Sequence, residues 1–185
     1  MSVTAAPPST GLAVRDAGES DLPAIAEIYG HHVVHGFASF EEVPPDLAEM
    51  ARRHQEVLRR GLPYLVGERD GQVLGFAYAS PYRARSAYRY TVEDSVYVSP
   101  AAMGQGFGRR ALTVLIERCT ARDLRQMVAV IGDSGNSASI RLHQALGFER
   151  AAVLRAVGYK LGRWVDSVIM QRRLGAGDTA PPSQG

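Results

Sequence analysis

One cysteine, Cys119, is all that this 185-residue chain carries, which excludes an internal disulfide and a zinc cluster built on cysteine. Its setting in an apolar helical run makes it a buried thiol rather than a nucleophile. No apolar stretch approaches the ~20 residues that cross a bilayer, and the opening MSVTAAPPST has neither the basic start nor the long apolar run of a secretory leader. The expected location is cytoplasmic, with no membrane partner. Charge of one sign is also scarce: a formal net charge of +2 does not point to nucleic acid as a partner. No repeat or internal linker divides the chain.

What is present is 45% hydrophobic and 22% charged residues, enough for one domain with a sizeable core. Residues 11–174 are expected to form it. Residues 1–10 and 175–185, rich in Pro, Ser, Gly and Ala, are expected to be flexible tails. A strand at Val14 and Arg15 precedes a helix capped by Ser20, with Leu22, Ile25, Ile28 and Tyr29 on one face. A second helix spans Asp46 to Arg60 and stops at Gly61. Tyr64 to Glu68 and Gln72 to Ala79 read as strands joined by Asp70-Gly71, a two-residue hairpin signal. Further on come a strand (Tyr90 to Val98), a helix (Gly106 to Arg122), a strand (Gln126 to Ile131), a helix (Ser137 to Leu146) and closing strands at Val153 and Val168. A hairpin followed by alternating strands and helices predicts a mixed α/β sheet.

The junction from Val96 to Leu112, VYVSPAAMGQGFGRRAL, places Gly104, Gly106 and Gly108 at alternate positions between strand and helix. Such a junction suits phosphates. Glycine lets backbone amides approach an anion, and the helix start adds unpaired N–H groups and a positive dipole end. Arg109 and Arg110 add charge there. Two motifs compete: Gly106, Gly108 and Ala111 fit the dinucleotide fingerprint G-x-G-x-x-A, and the same loop fits the acyl-CoA pyrophosphate pattern (Q/R)-x-x-G-x-(G/A). In a dinucleotide unit the first glycine follows an opening strand almost directly. Here Ser99 to Gln105 intervene and about half the chain comes first, which favours CoA.

From Tyr82 to Phe148 the chain resembles the GNAT acyltransferase superfamily and, within it, the phosphinothricin N-acetyltransferase group. The resemblance rests on YRARSAY (82–88), TVEDSVYV (91–98), GQGFG (104–108), VAVIGDSGNSAS (128–139) and RLHQALGF (141–148), with weaker similarity from Val14 to about Leu174. It implies the GNAT fold, an α/β domain whose mixed, mostly antiparallel sheet splays into a V beside residues 91–98 and is flanked by helices. It also implies acetyl-CoA as donor, a small amine acceptor, direct transfer in a ternary complex, no metal and a homodimer. One position departs: the loop's first residue, usually Gln or Arg, is Met103, which lacks a charge or strong donor.

Acetyl transfer needs a neutral nitrogen, a polarised thioester carbonyl and a way to neutralise the departing thiolate. An alkyl ammonium with a pKa of ~10 is mostly protonated at neutral pH, so a base is useful. Strand alternation puts Thr91, Glu93, Ser95 and Tyr97 on one face, either a solvated face or a catalytic one. The resemblance assigns Glu93 as the catalytic base. His143, in the late helix, corresponds to a position proposed as the acid for the thiolate; an imidazole suits either acid or base work near neutrality, and a hydrogen-bonded core histidine is the alternative. His31 and His35, four apart, flank His32 rather than the glutamate of H-E-x-x-H, so a helix-end dipole interaction is preferred over a metal site.

For the donor, the resemblance implies backbone groups of Tyr97 and Val98 at the thioester, Gly104, Gln105, Gly106, Gly108 and Arg109 at the pyrophosphate, and Asn136 and Ser139 near the pantetheine or adenosine phosphates. Asn136 equally reads as a helix cap. For the acceptor it implies Phe40, Arg83, Arg85, Tyr88 and Ser95, the arginines holding an acidic group with paired donors. A small amino acid with an anionic or sulfonyl-like end fits: phosphinothricin, methionine sulfone or methionine sulfoximine. Glu41 stands where related enzymes carry a basic residue, which puts phosphinothricin in question. Competing readings are a nicotinamide-dependent oxidoreductase, with Asp133 as the ribose-binding acid, and a non-catalytic acetyl-CoA sensor in which Glu93 is structural.

Overall fold

The computed structural model describes residues 11–183; the expected tail at 1–10 and the last two residues lie outside them. The described part opens with β1 (Ala13–Asp16) and reaches α1 (Leu22–His35) through a 3-10 turn at Glu19–Asp21. The cap of α1 is Asp21 rather than the expected Ser20. The Asp21 carboxylate accepts the Gly18 N–H at 2.8 Å and a two-pronged contact from Arg15 at 2.7 and 2.8 Å, and makes no cap hydrogen bond to α1 itself. The next helix, α2 (Leu47–Arg59), begins as expected, with Asp46 accepting the Glu49 N–H at 2.8 Å.

Strands β2 (Tyr64–Arg69) and β3 (Gln72–Pro81) pair antiparallel across Asp70 and Gly71, whose φ values of 53° and 77° are those of the expected turn. Then come β4 (Thr91–Val98), α3 (Phe107–Thr120), β5 (Gln126–Gly132), α4 (Ser137–Ala145), β6 (Glu149–Lys160) and β7 (Arg163–Arg173). The seven strands form one sheet in the order β1-β2-β3-β4-β5-β7-β6, antiparallel except for β4 beside β5. Helices α1 and α2 cover the face carrying Tyr64, Phe76 and Tyr97, while α3 and α4 cover the other.

Two features of this sheet position everything that follows. Register between β4 and β5 runs from Thr91–Gln126 to Asp94–Ala129 and stops, although β4 stays paired to β3 through Val98 and β5 to β7 through Gly132. The strands therefore part into a V whose apex is Asp94. Under β2 and β3, the ring of Phe107 occupies the space where Cβ atoms of Gly67 and Gly75 would stand, so the first residue of α3 is buried against bare backbone. After β7, residues 175–183 fold back: Ser183 N–H donates to Asp123, and Arg125 to the Pro181 carbonyl.

Candidate active site

Between the arms of the V lies a cleft of about 490 Å³, lined by Ser95 to Val98 on one side, Ala129 to Gly132 on the other, and the starts of α3 and α4. At its end, Gly104 and Gly106 have φ of 75° and 84°, and a Cβ on either would point into open space. The backbone there is bare, and α3 begins immediately after Gly106, so its first N–H groups stand beside a gap of anion-binding character. Gly106, Gly108 and Arg109 line the cleft, as do Gly104, Asn136 and Ser139.

Glu93 is half-buried on the other sheet face and makes no side-chain hydrogen bond among the described residues. Burial raises its pKa, the neighbouring Asp94 carboxylate adds to the rise, and Arg83 pulls it back in part. Its cross-strand neighbour Ser80 lines a second, smaller cavity, whereas Ser95, next along its own face, lines the cleft. Glu93 itself lines neither cavity; its two neighbours border one each, and its carboxyl pKa is raised.

At the apex, Asp94 points to the opposite face and meets His143: Nε2–H donates to Oδ2 at 3.0 Å, with both side chains almost wholly buried. Nδ1–H donates to the Ser139 carbonyl at 2.8 Å. Burial alone would lower the His143 pKa, but the hydrogen bond and charge of Asp94, with the Ser139 carbonyl, outweigh it and the net shift is upward. Asp94 Oδ1 is buried without a partner among the described residues, so the carboxylate depends on the imidazole.

The acetyltransferase (GNAT) family model matches residues 26–148. This chain belongs to that family. Its relatives include the phosphinothricin N-acetyltransferase of Alcaligenes faecalis, 60% identical over 91% of this chain and 86% of that one. The L-methionine sulfoximine/L-methionine sulfone acetyltransferase of Pseudomonas aeruginosa is 44% identical over 91% and 98%. A solved phosphinothricin acetyltransferase of Sinorhizobium meliloti in complex with acetyl-CoA superposes with a TM-score of 0.91, at 48% identity and 94% coverage of each chain. The mixed sheet with its V is the GNAT arrangement that the motifs implied. The dinucleotide alternative is not favoured: a 3-10 turn at Pro100–Ala102 and the stretch to Gln105 separate β4 from Gly106, and Asp133 is paired with Arg163.

The other expected residues are dispersed. Ser95, expected at the acceptor, lines the larger cleft together with Tyr97 and Val98. Gln105 does not line it; its amide is held by Arg69 and the Ala101 carbonyl. Arg83, Arg85 and Tyr88 are exposed in the segment before β4 and line neither cavity, with Arg83 stacked on Tyr82. Phe40 sits where Cβ atoms at Gly132 and Gly158 would collide with its ring, and its loop is tied down by Lys160, whose Nζ donates to the Ser39 carbonyl at 2.6 Å. Asn136 does cap α4, accepting the Ser139 N–H at 3.2 Å, while also lining the cleft.

Two residues of the site escaped sequence reasoning. Asp94 shares its strand face with Val92, Val96 and Val98, and a lone carboxylate among valines is the signal that could have found it. His32, named above only as the residue between His31 and His35, lines the cleft and donates Nε2–H to the Val98 carbonyl at 2.8 Å; nothing local announces it. The Asp94–His143 pair carries a pH signature. A histidine whose folded pKa is raised contributes stability fully below its unfolded value of ~6.5 and loses it as pH climbs through the folded value. Denaturant unfolding from pH 6 to 9 should therefore show wild type losing stability relative to His143→Phe. A gap independent of pH would contradict a protonated His143.

Proposed function

We propose that this protein is an acetyl-CoA-dependent N-acetyltransferase acting on the α-amine of a small amino-acid-like acceptor of the phosphinothricin, methionine sulfone or methionine sulfoximine type. The observation that carries the reading is the position of Glu93, whose two neighbours border a cleft with a phosphate-ready glycine loop and a second cavity on the acceptor face. Acetyl-CoA enters along the V, with its pyrophosphate at Gly104 to Arg109 and its thioester near Tyr97 and Val98. The acceptor arrives as an ammonium. Glu93 takes its proton, the free amine attacks the thioester carbonyl, and a backbone N–H in the β4 arm steadies the oxyanion; the tetrahedral intermediate then collapses with cleavage of the C–S bond, the nitrogen's surplus proton passing to the departing sulfur so that CoA leaves as the thiol. No covalent enzyme intermediate is required.

His143 enters this scheme as a paired imidazolium at the cleft wall. Both ring nitrogens already donate to Asp94 and Ser139, so its contribution to the leaving thiolate is electrostatic rather than that of a free acid. Arg83, Arg85 and Tyr88 hold the acceptor's acidic group, and Phe40 supports the same pocket. The exposed Leu154, Val157, Tyr159, Leu161 and Trp164 on the β6–β7 hairpin offer the surface for a homodimer. A cytoplasmic location belongs to the same reading, consistent with a lone buried thiol.

An acceptor screen with acetyl-CoA tests the proposal, using phosphinothricin, methionine sulfone, methionine sulfoximine and aminoglycosides; thiol release with none of the amino acids would refute it. Arg85→Ala tests the rim. The Arg85 guanidinium has no partner among the described residues, and a charge-assisted hydrogen bond contributes about 1.5–3 kcal/mol, so kcat/KM for these amino acids should fall roughly 10- to 150-fold. KM for acetyl-CoA should hardly move. Equal losses for amines without an acidic group would remove Arg85 from acceptor binding.

A further inference from the structure

The smaller cavity, about 220 Å³, is walled by Tyr29, Met50, Val57, Tyr64, Phe76 and Tyr78. Tyr64 and Tyr78 stack with centroids 4.9 Å apart, and the Tyr64 hydroxyl has no hydrogen-bond partner among the described residues although the residue is 2% exposed. Ser80 brings one end of the cavity beside Glu93. At the other end stand two cations, Arg52 and Arg53, and neither is free. Arg53 donates to Glu41 and to Glu49, each at 2.7 Å, and Arg52 to Glu49 at 2.7 Å. Glu41 is itself anchored by the Tyr29 hydroxyl at 3.0 Å. These four charged groups sum to zero, and Glu56 is occupied by Arg59 and Arg60.

Tyr78 links the two ends. Burial pushes its pKa up and a hydrogen bond to Ser95 pulls it down; beyond these it is raised by Glu93, lowered by Arg53 and raised by Glu41. One phenol therefore senses both the carboxylate beside the cleft and the Glu41–Arg53 pair. Resting on the acceptor reading above, with the α-carboxylate of an amino acid on the arginine rim, we propose that this cavity receives the acceptor's side chain and that Glu41, by holding Arg53, makes it a site for neutral side chains rather than anionic ones. A methylphosphinate would enter an aromatic chamber whose cations are already neutralised, leaving its charge desolvated without a partner. A sulfone or sulfoximine is uncharged, fits the apolar walls, and presents an oxygen that accepts the spare Tyr64 hydroxyl.

The experiment compares kcat/KM for L-methionine sulfone and for phosphinothricin in wild type, Glu41→Gln and Glu41→Gln/Arg53→Met. Glu41→Gln keeps a partner for Tyr29 and leaves the cluster one positive charge in excess. Wild type should favour the sulfone, the single variant should shift the ratio toward phosphinothricin at least tenfold, and the double variant should cancel that shift. A ratio within twofold of wild type in folded Glu41→Gln would overturn the assignment. Val57→Phe, which fills the cavity, gives an independent arm: KM for methionine sulfone should rise at least tenfold with KM for acetyl-CoA unchanged, and an unaltered sulfone KM would also overturn it. Wild type acetylating neither compound would refute the acceptor reading itself; acetylating both with an unmoved ratio would overturn the assignment of this cavity's selectivity and leave the acceptor reading standing.

Discussion

Replacing Glu93 with glutamine should lower kcat by roughly 10²–10⁴, the range for loss of general-base help, while leaving the Kd of acetyl-CoA nearly intact. Glutamine keeps the size of the side chain and removes its capacity to accept a proton. The carboxyl has no competing hydrogen bond, and its pKa is raised first by burial and then by Asp94, which strengthens it as a base toward neutral pH. Wild-type kcat/KM should therefore climb with pH through a group above the ordinary carboxylate value of ~4.3, and that limb should vanish in the variant. Steady-state rates from pH 5 to 9, with calorimetric titration of acetyl-CoA, check both parts. Wild-type rates in Glu93→Gln at every pH would remove this residue from the mechanism and favour a binding role for the fold.

The largest stability effect is expected at Phe107→Ala. The ring is 1% exposed and lies against backbone at Gly67 and Gly75, where no neighbouring Cβ can move in to fill the void. Truncating a buried phenylalanine costs about 3–5 kcal/mol when the site cannot collapse, equivalent to a melting temperature lower by roughly 6–20 °C for a domain of this size. Because Phe107 is the first residue of α3 and lines the cleft, the same change should loosen the phosphate loop and weaken acetyl-CoA binding. Urea unfolding and the thermal shift produced by acetyl-CoA measure the two effects. A loss below about 1 kcal/mol would mean that the two glycines do not form a rigid seat for the ring.

Order and type of the elements were legible because they depend on neighbours a few residues apart: alternation in β4, helical spacing in α2 and α3, and the positive-φ pair Asp70-Gly71 are all local. The glycine spacing at 104, 106 and 108 likewise reports a local need, a bare backbone before a helix start, and the resemblance of TVEDSVYV singled out Glu93. Other features depend on what distant elements bring together. Asp94 and His143 are 49 residues apart, and only the packing of α4 under the apex of the V turns them into a buried pair. The pairing of Asp21 with Arg15 of β1 likewise joins two residues that no local pattern links. Glu41 looked like a departure in a substrate loop until α2 placed Arg53 against it. The periodicity of a chain sets which face a side chain takes, since that is decided by backbone geometry over one or two turns. Its charge partner, its desolvation and the cavity it borders were decided only by the tertiary structure, because those energies depend on groups that sequence distance does not order.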